Sequence, residues 1–440
     1  MRQVNLAVLF VAMTALTGCM DALPDGMPFG LGQGRETETE EVSRQASTFE
    51  QEEEGENRSE IIDALLARQS VLTSGSAFAT VADGALDADS RASAAELHSA
   101  RLRAEATSRN WLPTLGPNIS LTSLGEIVSS ILIEQVLFDN GRRRAERAFA
   151  AADVEVAAVN LSEDLNGRVF TALSLFITGQ KSEEKAAISA RALTRMYEFE
   201  RIVIGRIEGG VSDQADRRVI ESKLNDMRSA QSSAQEAAQT ARAELYAMTG
   251  QDFTGAGAGQ GAFSVEGQTN LSVLRAQAEA TRTVAQATID RAGLLPGLTA
   301  SANVTGDGTT GGLTASSEQG IGFGTGASLR AIEASRETAD RRVNEARETA
   351  RRSQSRLEQR LASYRRQESE AEMLVRESRG TFRLFQDQFQ AGQRSVLDVV
   401  SIYEQLVQRE QAHVDAKYEV LLIQMEMARD AGILADGDAI

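Results

Sequence analysis

Apolar positions in this chain fall at helical spacings over very long tracts. Val343, Ala346, Ala350, Leu357, Leu361, Tyr364, Ala371 and Leu374 form a sparse stripe at intervals near three and four. Such a stripe suits coiled-coil pairing rather than burial in a compact core. The pattern predicts one long helix from about Arg142 to Glu208 and another from about Ala327 to Gln390, and at about 1.5 Å per residue either would be about 100 Å long. Return helices are expected over 212–249 and 395–431, the second opening with Val396, Val399, Tyr403 and Leu406. Shorter helices are expected at about 94–110 and 271–293. Between short and long helices the period changes to two. Leu298, Ala300, Ala302 and Val304 alternate with Thr299, Ser301, Asn303 and Thr305, which predicts a strand with one apolar and one polar face. Gly306-Asp307-Gly308 and Gly311-Gly312 are expected to supply the turn, with 313–323 returning. Residues 113–122 and 127–138 make an earlier pair rich in Ile, Leu and Val, in which Glu134 is expected to break the apolar face.

The landmarks recur. Trp111-Leu112-Pro113-Thr114-Leu115 returns as Leu294-Leu295-Pro296-Gly297-Leu298, and Phe138-Asp139-Asn140-Gly141 as Phe323-Gly324-Thr325-Gly326. Gly210 with Asp216 returns as Gly392 with Asp398, and Gly250 as Gly432; these last two offsets are both 182. An ordered set at nearly constant offset marks a tandem duplication. The expected layout is a first repeat over 60–250 with its hairpin at 113–138, and a glycine-rich linker at 251–270. A second repeat follows over 271–432 with its hairpin at 297–323, then a tail at 433–440.

Composition narrows the function. Of five prolines in 440 residues, none falls between 118 and 295 and none follows Pro296, as long helices require. A net charge of −17 argues against nucleic acid, which needs a basic face. No apolar run of about 18 residues occurs in the body, so no membrane-spanning helix is expected there. His98 and His413 are too few and too distant for a metal or catalytic site, and read as helix-surface residues. Gly255-Ala256-Gly257-Ala258-Gly259 lacks a preceding strand and a phosphate-reading lysine, so it reads as linker, placed with the tail in an irregular belt. No enzymatic chemistry and no cofactor are expected. Each strand has about the nine to eleven residues needed to cross a tilted barrel wall. Four strands cannot close a barrel, because open edges in lipid would leave backbone groups unpaired. Several chains are therefore expected to share one barrel, with Trp111 and Phe138 either as interfacial anchors or as ordinary packing.

The N-terminus carries Arg2, an apolar run from Leu6 to Leu16, then Leu16-Thr17-Gly18-Cys19, which resembles a bacterial lipobox. That resemblance implies a signal peptide over 1–18 and acylation of Cys19, the only cysteine. Residues 19–59, with nine glutamates between Glu36 and Glu56, read as a solvated tether; a partner-binding acidic segment is the alternative.

With Leu-Pro before the first strand, Leu137-Phe138-Asp139-Asn140-Gly141 followed by basic residues, and Phe389-Gln390-Ala391-Gly392-Gln393-Arg394-Ser395-Val396-Leu397-Asp398-Val399, the chain resembles the TolC family of outer-membrane efflux and secretion proteins over roughly residues 60 to 434. The resemblance implies a mainly α fold with a small β part. Long antiparallel helices would form an α-barrel, and four strands per chain would enter a twelve-stranded barrel in a homotrimer. It implies an exit duct in outer-membrane lipid, working with a periplasmic adaptor and an inner-membrane pump of RND or ABC type, for drugs or unfolded proteins. It puts Asp216 and Asp398 at the periplasmic aperture, with Arg394 in polar contacts that hold the tip closed. Phe389 stands where the family can have tyrosine, and Ser401 where it can have a second acid. Gly210 and Gly392 are expected at the tip turns, Gly141 and Gly326 at the membrane-proximal turns. For the two aspartates, a helix N-terminal role remains open. A periplasm-spanning coiled-coil lipoprotein without a pore is the alternative function.

Overall fold

The computed structural model describes residues 59–88, 92–121, 127–255, 267–305, 308–318 and 322–439. The expected signal peptide, Cys19, nearly all of the acidic tether and most of 255–259 lie outside the described residues. Two short helices come first, α1 (Glu60–Leu66) and α2 (Ala77–Asp87). Periodicity does not announce them, being too short for a stripe. Their local signal is a serine cap: Ser59 Oγ accepts from Ile62 N and Ser76 Oγ from Ala79 N.

Helix α3 (Ala92–Ser108) leads into β1 (Thr114–Leu121) and β2 (Ile127–Phe138), then α4 (Arg142–Glu208) and α5 (Gln214–Thr249). The plan repeats as α6 (Leu271–Gly293), β3 (Gly297–Thr305), β4 (Gly308–Ser316), α7 (Thr325–Gln390) and α8 (Val396–Asp430). The fold is mainly helical with one small sheet. No described helix is long and apolar enough to cross a membrane.

The sheet is antiparallel in the order β1-β2-β3-β4, so β1 and β4 are its edges. Its register corrects three expectations. Thr305 pairs with Gly308 and Gly297 with Ser316, so the return strand begins at Gly308, not Leu313. Gly311 and Gly312 lie inside β4, not in the turn, and Phe323 lies beyond it. The reason is partner length: β3 begins at Gly297, and beyond Ser316 the chain has nothing to pair with. Glu134 does not break the apolar face, because it stands opposite Thr114 on one side and Ser301 on the other. Directly opposed residues share a face, so Glu134 lies on the side of Thr299, Ser301 and Asn303, which in β2 also carries Leu132 and Val136, while Gln135 faces the other way opposite Ala300. Leu115, Ile131, Ile133, Ala302, Val304 and Leu313 occupy the other side. A register shift between Val136 and Phe138 brings Phe138 opposite Leu298 on that apolar side.

The two long helices are alike in length, 67 and 66 residues, and unlike in surroundings. Helix α4 packs on α3, α5, α6 and α8, whereas α7 packs on α6 and α8. Alanines such as Ala158, Ala172 and Ala192 on α4 are buried and let neighbouring helices approach. In α7 only Ala339, Val343, Leu357, Val375 and Phe382 are buried. Leu374 of the expected stripe is exposed and Val375 takes its place. Val375 lies 18 residues after Leu357, five whole turns at 3.6 residues, so it keeps the facing direction.

The main core cluster runs along α4 from Val169 to Val203 and on to Phe382 and Val396; near its start Phe78 meets Phe176 edge-on at a centroid distance of 6.1 Å, beside Leu173 and Ile177. Residues after α8 are stitched into this level. Asn166 Oδ1, buried in α4, accepts from Leu434 N (2.8 Å) and Ala435 N (3.2 Å). Arg68 donates to Ala431 O and Thr269 O, both at 2.8 Å, and burial pulls its pKa down to about 10.

Candidate functional site

The two hairpin ends of the long helices are built by the same local chemistry. In the first, Gly210 takes φ +71°, Gly210 N donates to Ile207 O and Val211 N to Arg206 O. In the second, Gly392 takes φ +74°, Gly392 N donates to Phe389 O and Gln393 N to Gln388 O. Each is a paired closing of the last helical carbonyls around a left-handed glycine. Helix α5 is then capped by Asp213, which accepts from Ala215 N and Asp216 N. Helix α8 is capped by Ser395, which accepts from Asp398 N at 3.2 Å while Ser395 N donates to Asp398 Oδ2 at 3.1 Å.

Asp216 and Asp398 thus occupy the same position, the third residue after the cap, in both copies. Their environments differ. Asp398 is exposed, and its carboxyl is held below the usual carboxylate range by hydrogen bonding to the Ser395 hydroxyl, then to its backbone N–H, with a smaller effect of the Arg394 charge. Its carboxylate is therefore turned onto its own helix end. In α5 the capping role falls to Asp213 instead, and Asp216 is half-buried beside it. Ser401, one turn further along α8, is exposed.

The basic and aromatic residues pair in another way than polar contacts to an aspartate. The Arg394 guanidinium lies 4.5 Å from the Phe385 ring centre and donates to Gln388 Oε1 at 3.0 Å. The Phe389 ring faces Arg206 of α4 at 5.9 Å. Among the described residues no ion pair joins Arg394 to Asp216 or Asp398. Behind the tip lies an arginine–aromatic layer that motif matching passes over. Tyr403 of α8 meets Phe382 of α7 at 4.9 Å and Phe199 of α4 at 6.0 Å, and Arg195 lies over both phenylalanine rings. Burial, then the charge of Glu410, pushes the Tyr403 hydroxyl up to about 12. Part of this layer is legible, since Phe382, Phe385 and Phe389 fall at spacings of three and four; its partners lie on distant helices and are not.

At the opposite end, the Phe-Asp-Asn-Gly turn starts α4. Asp139 accepts from Gly141 N and Arg143 N, Asn140 donates from Nδ2 to Pro296 O at 3.0 Å, and Gly141 takes φ +82°. The second copy is not built this way. Gly324 is the cap, with φ −83° in the right-handed helical region, and Gly326 already lies in the first turn of α7. Gly326 is therefore helical rather than a turn residue: without an aspartate two residues before the cap, α7 begins earlier. His98 is exposed on α3 and His413 half-buried on α8.

No family model matches the sequence, and no curated protein does. Solved structures do match. A membrane protein from Pseudomonas aeruginosa superposes with a TM-score of 0.70 at 15% identity, covering 84% of this chain and 92% of the other. The outer membrane protein VceC of Vibrio cholerae gives 0.69 at 14%, covering 81% and 96%. The MtrE outer membrane channel of Neisseria gonorrhoeae, in its open state, gives 0.67 at 16%, covering 84% and 95%. The long hairpin helices, the four-stranded antiparallel sheet and these superpositions together give the chain the TolC-like fold of outer-membrane channels.

Proposed function

We propose that this chain is one protomer of an outer-membrane exit duct of the TolC family. The observation that carries the proposal is the sheet: four antiparallel strands, alternating in β1, β3 and β4 and mixed in β2, with edges β1 and β4 unpaired among the described residues and helices of 67 and 66 residues beyond one end. Such a sheet is stable in lipid only when other chains cover β1 and β4. Three copies would supply twelve strands, with α4, α5, α7 and α8 forming a periplasmic tunnel. The mostly exposed α7 supports this reading, since it has a long face free for a neighbouring copy.

In this reading the tips form the periplasmic aperture, with Asp216, Asp398 and Ser401 toward the opening, and Phe389 and Arg394 behind it. A periplasmic adaptor and an inner-membrane pump of RND or ABC type would engage the duct, and drugs or unfolded proteins would leave through it. Acylated Cys19 would add a lipid anchor. The full chain reconstituted in planar bilayers should conduct ions; an impermeable trimer would overturn the duct in favour of a coiled-coil rod. Deleting the gene and comparing drug susceptibility with the set of secreted proteins separates efflux from type I secretion. Labelling with radioactive palmitate should mark the wild type and not Cys19→Ser.

A further inference from the structure

All four passages between helix and strand lie at one end of the sheet, because Thr114 pairs with Glu134, and Leu298 with both Phe138 and Ala315. This seam has an unusual charge. Helix α4 opens with Arg142, Arg143 and Arg144, where the aligned peptide dipoles disfavour positive charge. At the other end of the hairpins the rule is obeyed, with Asp216 and Asp398 in first turns and Arg206 in a last turn.

The local carboxylates do not explain the arginines. Arg142 takes Glu146 and Glu318, and Arg109 takes Glu105. Asp139 is used by the backbone of α4, and Asp290 accepts from the Gln286 amide. Arg143, Arg144, Arg291 and Arg330 have no carboxylate partner among the described residues. Arg143 even holds one guanidinium nitrogen buried with no hydrogen-bond acceptor. In a chain of net charge −17, this is a basic patch, and at the start of α4 it is kept against the local dipole.

An apolar belt adjoins it. Trp111 is 61% exposed, Phe138 58%, and Phe323 fully so. Asn110, next to Trp111, donates to Arg143 O and accepts from Arg147, which ties the belt to the arginines. Aromatic side chains beside unneutralised arginines match the boundary of a bilayer, where rings sit at the headgroup level and guanidinium groups meet phosphate.

We propose that Arg143, Arg144, Arg291 and Arg330 form a collar that binds the phosphates of anionic phospholipids at the level of Trp111. The inference rests on the barrel reading above and names the lipid chemistry at its rim. Trp111 is the only tryptophan, so its fluorescence reports the lipid beside it. The full chain is reconstituted in phosphatidylcholine vesicles containing either brominated phosphatidylglycerol or brominated phosphatidylcholine, and quenching gives their relative association. The anionic lipid should be preferred about fivefold at low salt, and about twofold or less in 0.5 M salt. Arg143→Gln/Arg144→Gln should bring the low-salt preference to about twofold or less, while Arg143→Lys/Arg144→Lys should keep most of it. Equal quenching by both lipids in the wild type, or a preference unchanged by the glutamine pair, overturns the collar alone. Quenching by neither lipid overturns the membrane reading with it.

Discussion

Asn166 and Asp398 show how a single polar side chain acts differently when buried and when exposed. The Asn166 carbonyl is the acceptor for two backbone N–H groups, from Leu434 and Ala435, in a site closed to water. Asn166→Ala leaves both donors without a partner and should cost about 2 kcal/mol, read as a lowered Tm for helix unfolding. No motif marks this asparagine, because its partners lie 268 and 269 residues away. Asp398 is legible from its spacing to Gly392, but its geometry is not. Its folded pKa is depressed, so its capping contribution is present above the ordinary carboxylate pKa and is lost as pH falls through the lowered value. Helicity of the wild type followed from pH 6 downward should show this loss, and Asp398→Asn should lack it. The same variant should weaken cation preference in single-channel recordings; unchanged selectivity would remove Asp398 from the constriction and leave it as a cap.

The helices are legible as elements because their period persists for many turns and their ends carry strong signals. Gly210 and Gly392 adopt positive φ with open space around the missing Cβ, so Gly392→Ala should cost about 1 kcal/mol through backbone strain alone. Ser395→Ala removes the α8 cap and should cost about the same; thermal unfolding of each variant gives both values. The second strand pair shows where such reading stops. Alternation in 313–323 looks like a strand, but a strand exists only where a partner runs beside it, and register ends β4 at Ser316. Glu134 makes the complementary point. Taken alone along β2 it is a charge in an apolar run, and across the sheet it falls in line with Thr114 and Ser301.

For the whole molecule, the duplication produces two similar hairpins in dissimilar surroundings. Helix α4 is wrapped by neighbours within the chain, while α7 leaves most of its length exposed. An assembly that covers β1, β4 and α7 together satisfies all three surfaces at once. Cysteine pairs scanned along β1 and β4, in a background with Cys19→Ser, should cross-link separate chains into a ladder ending at three. A ladder ending at two, or products within one chain, would contradict the shared barrel.

What the sequence determined by itself is local and periodic: long helices from a persistent stripe, glycine turns from positions that need left-handed backbone, strands from a period of two, and duplication from a constant offset. These follow from each residue and its near neighbours, so no partner has to be known. Tertiary structure alone decided which face Glu134 joins, where β4 stops, which aromatic rings stack on Arg195, Arg206 and Arg394, and how Asn166 holds the residues after α8. Each of those depends on groups far apart in the chain whose meeting is set by packing and register.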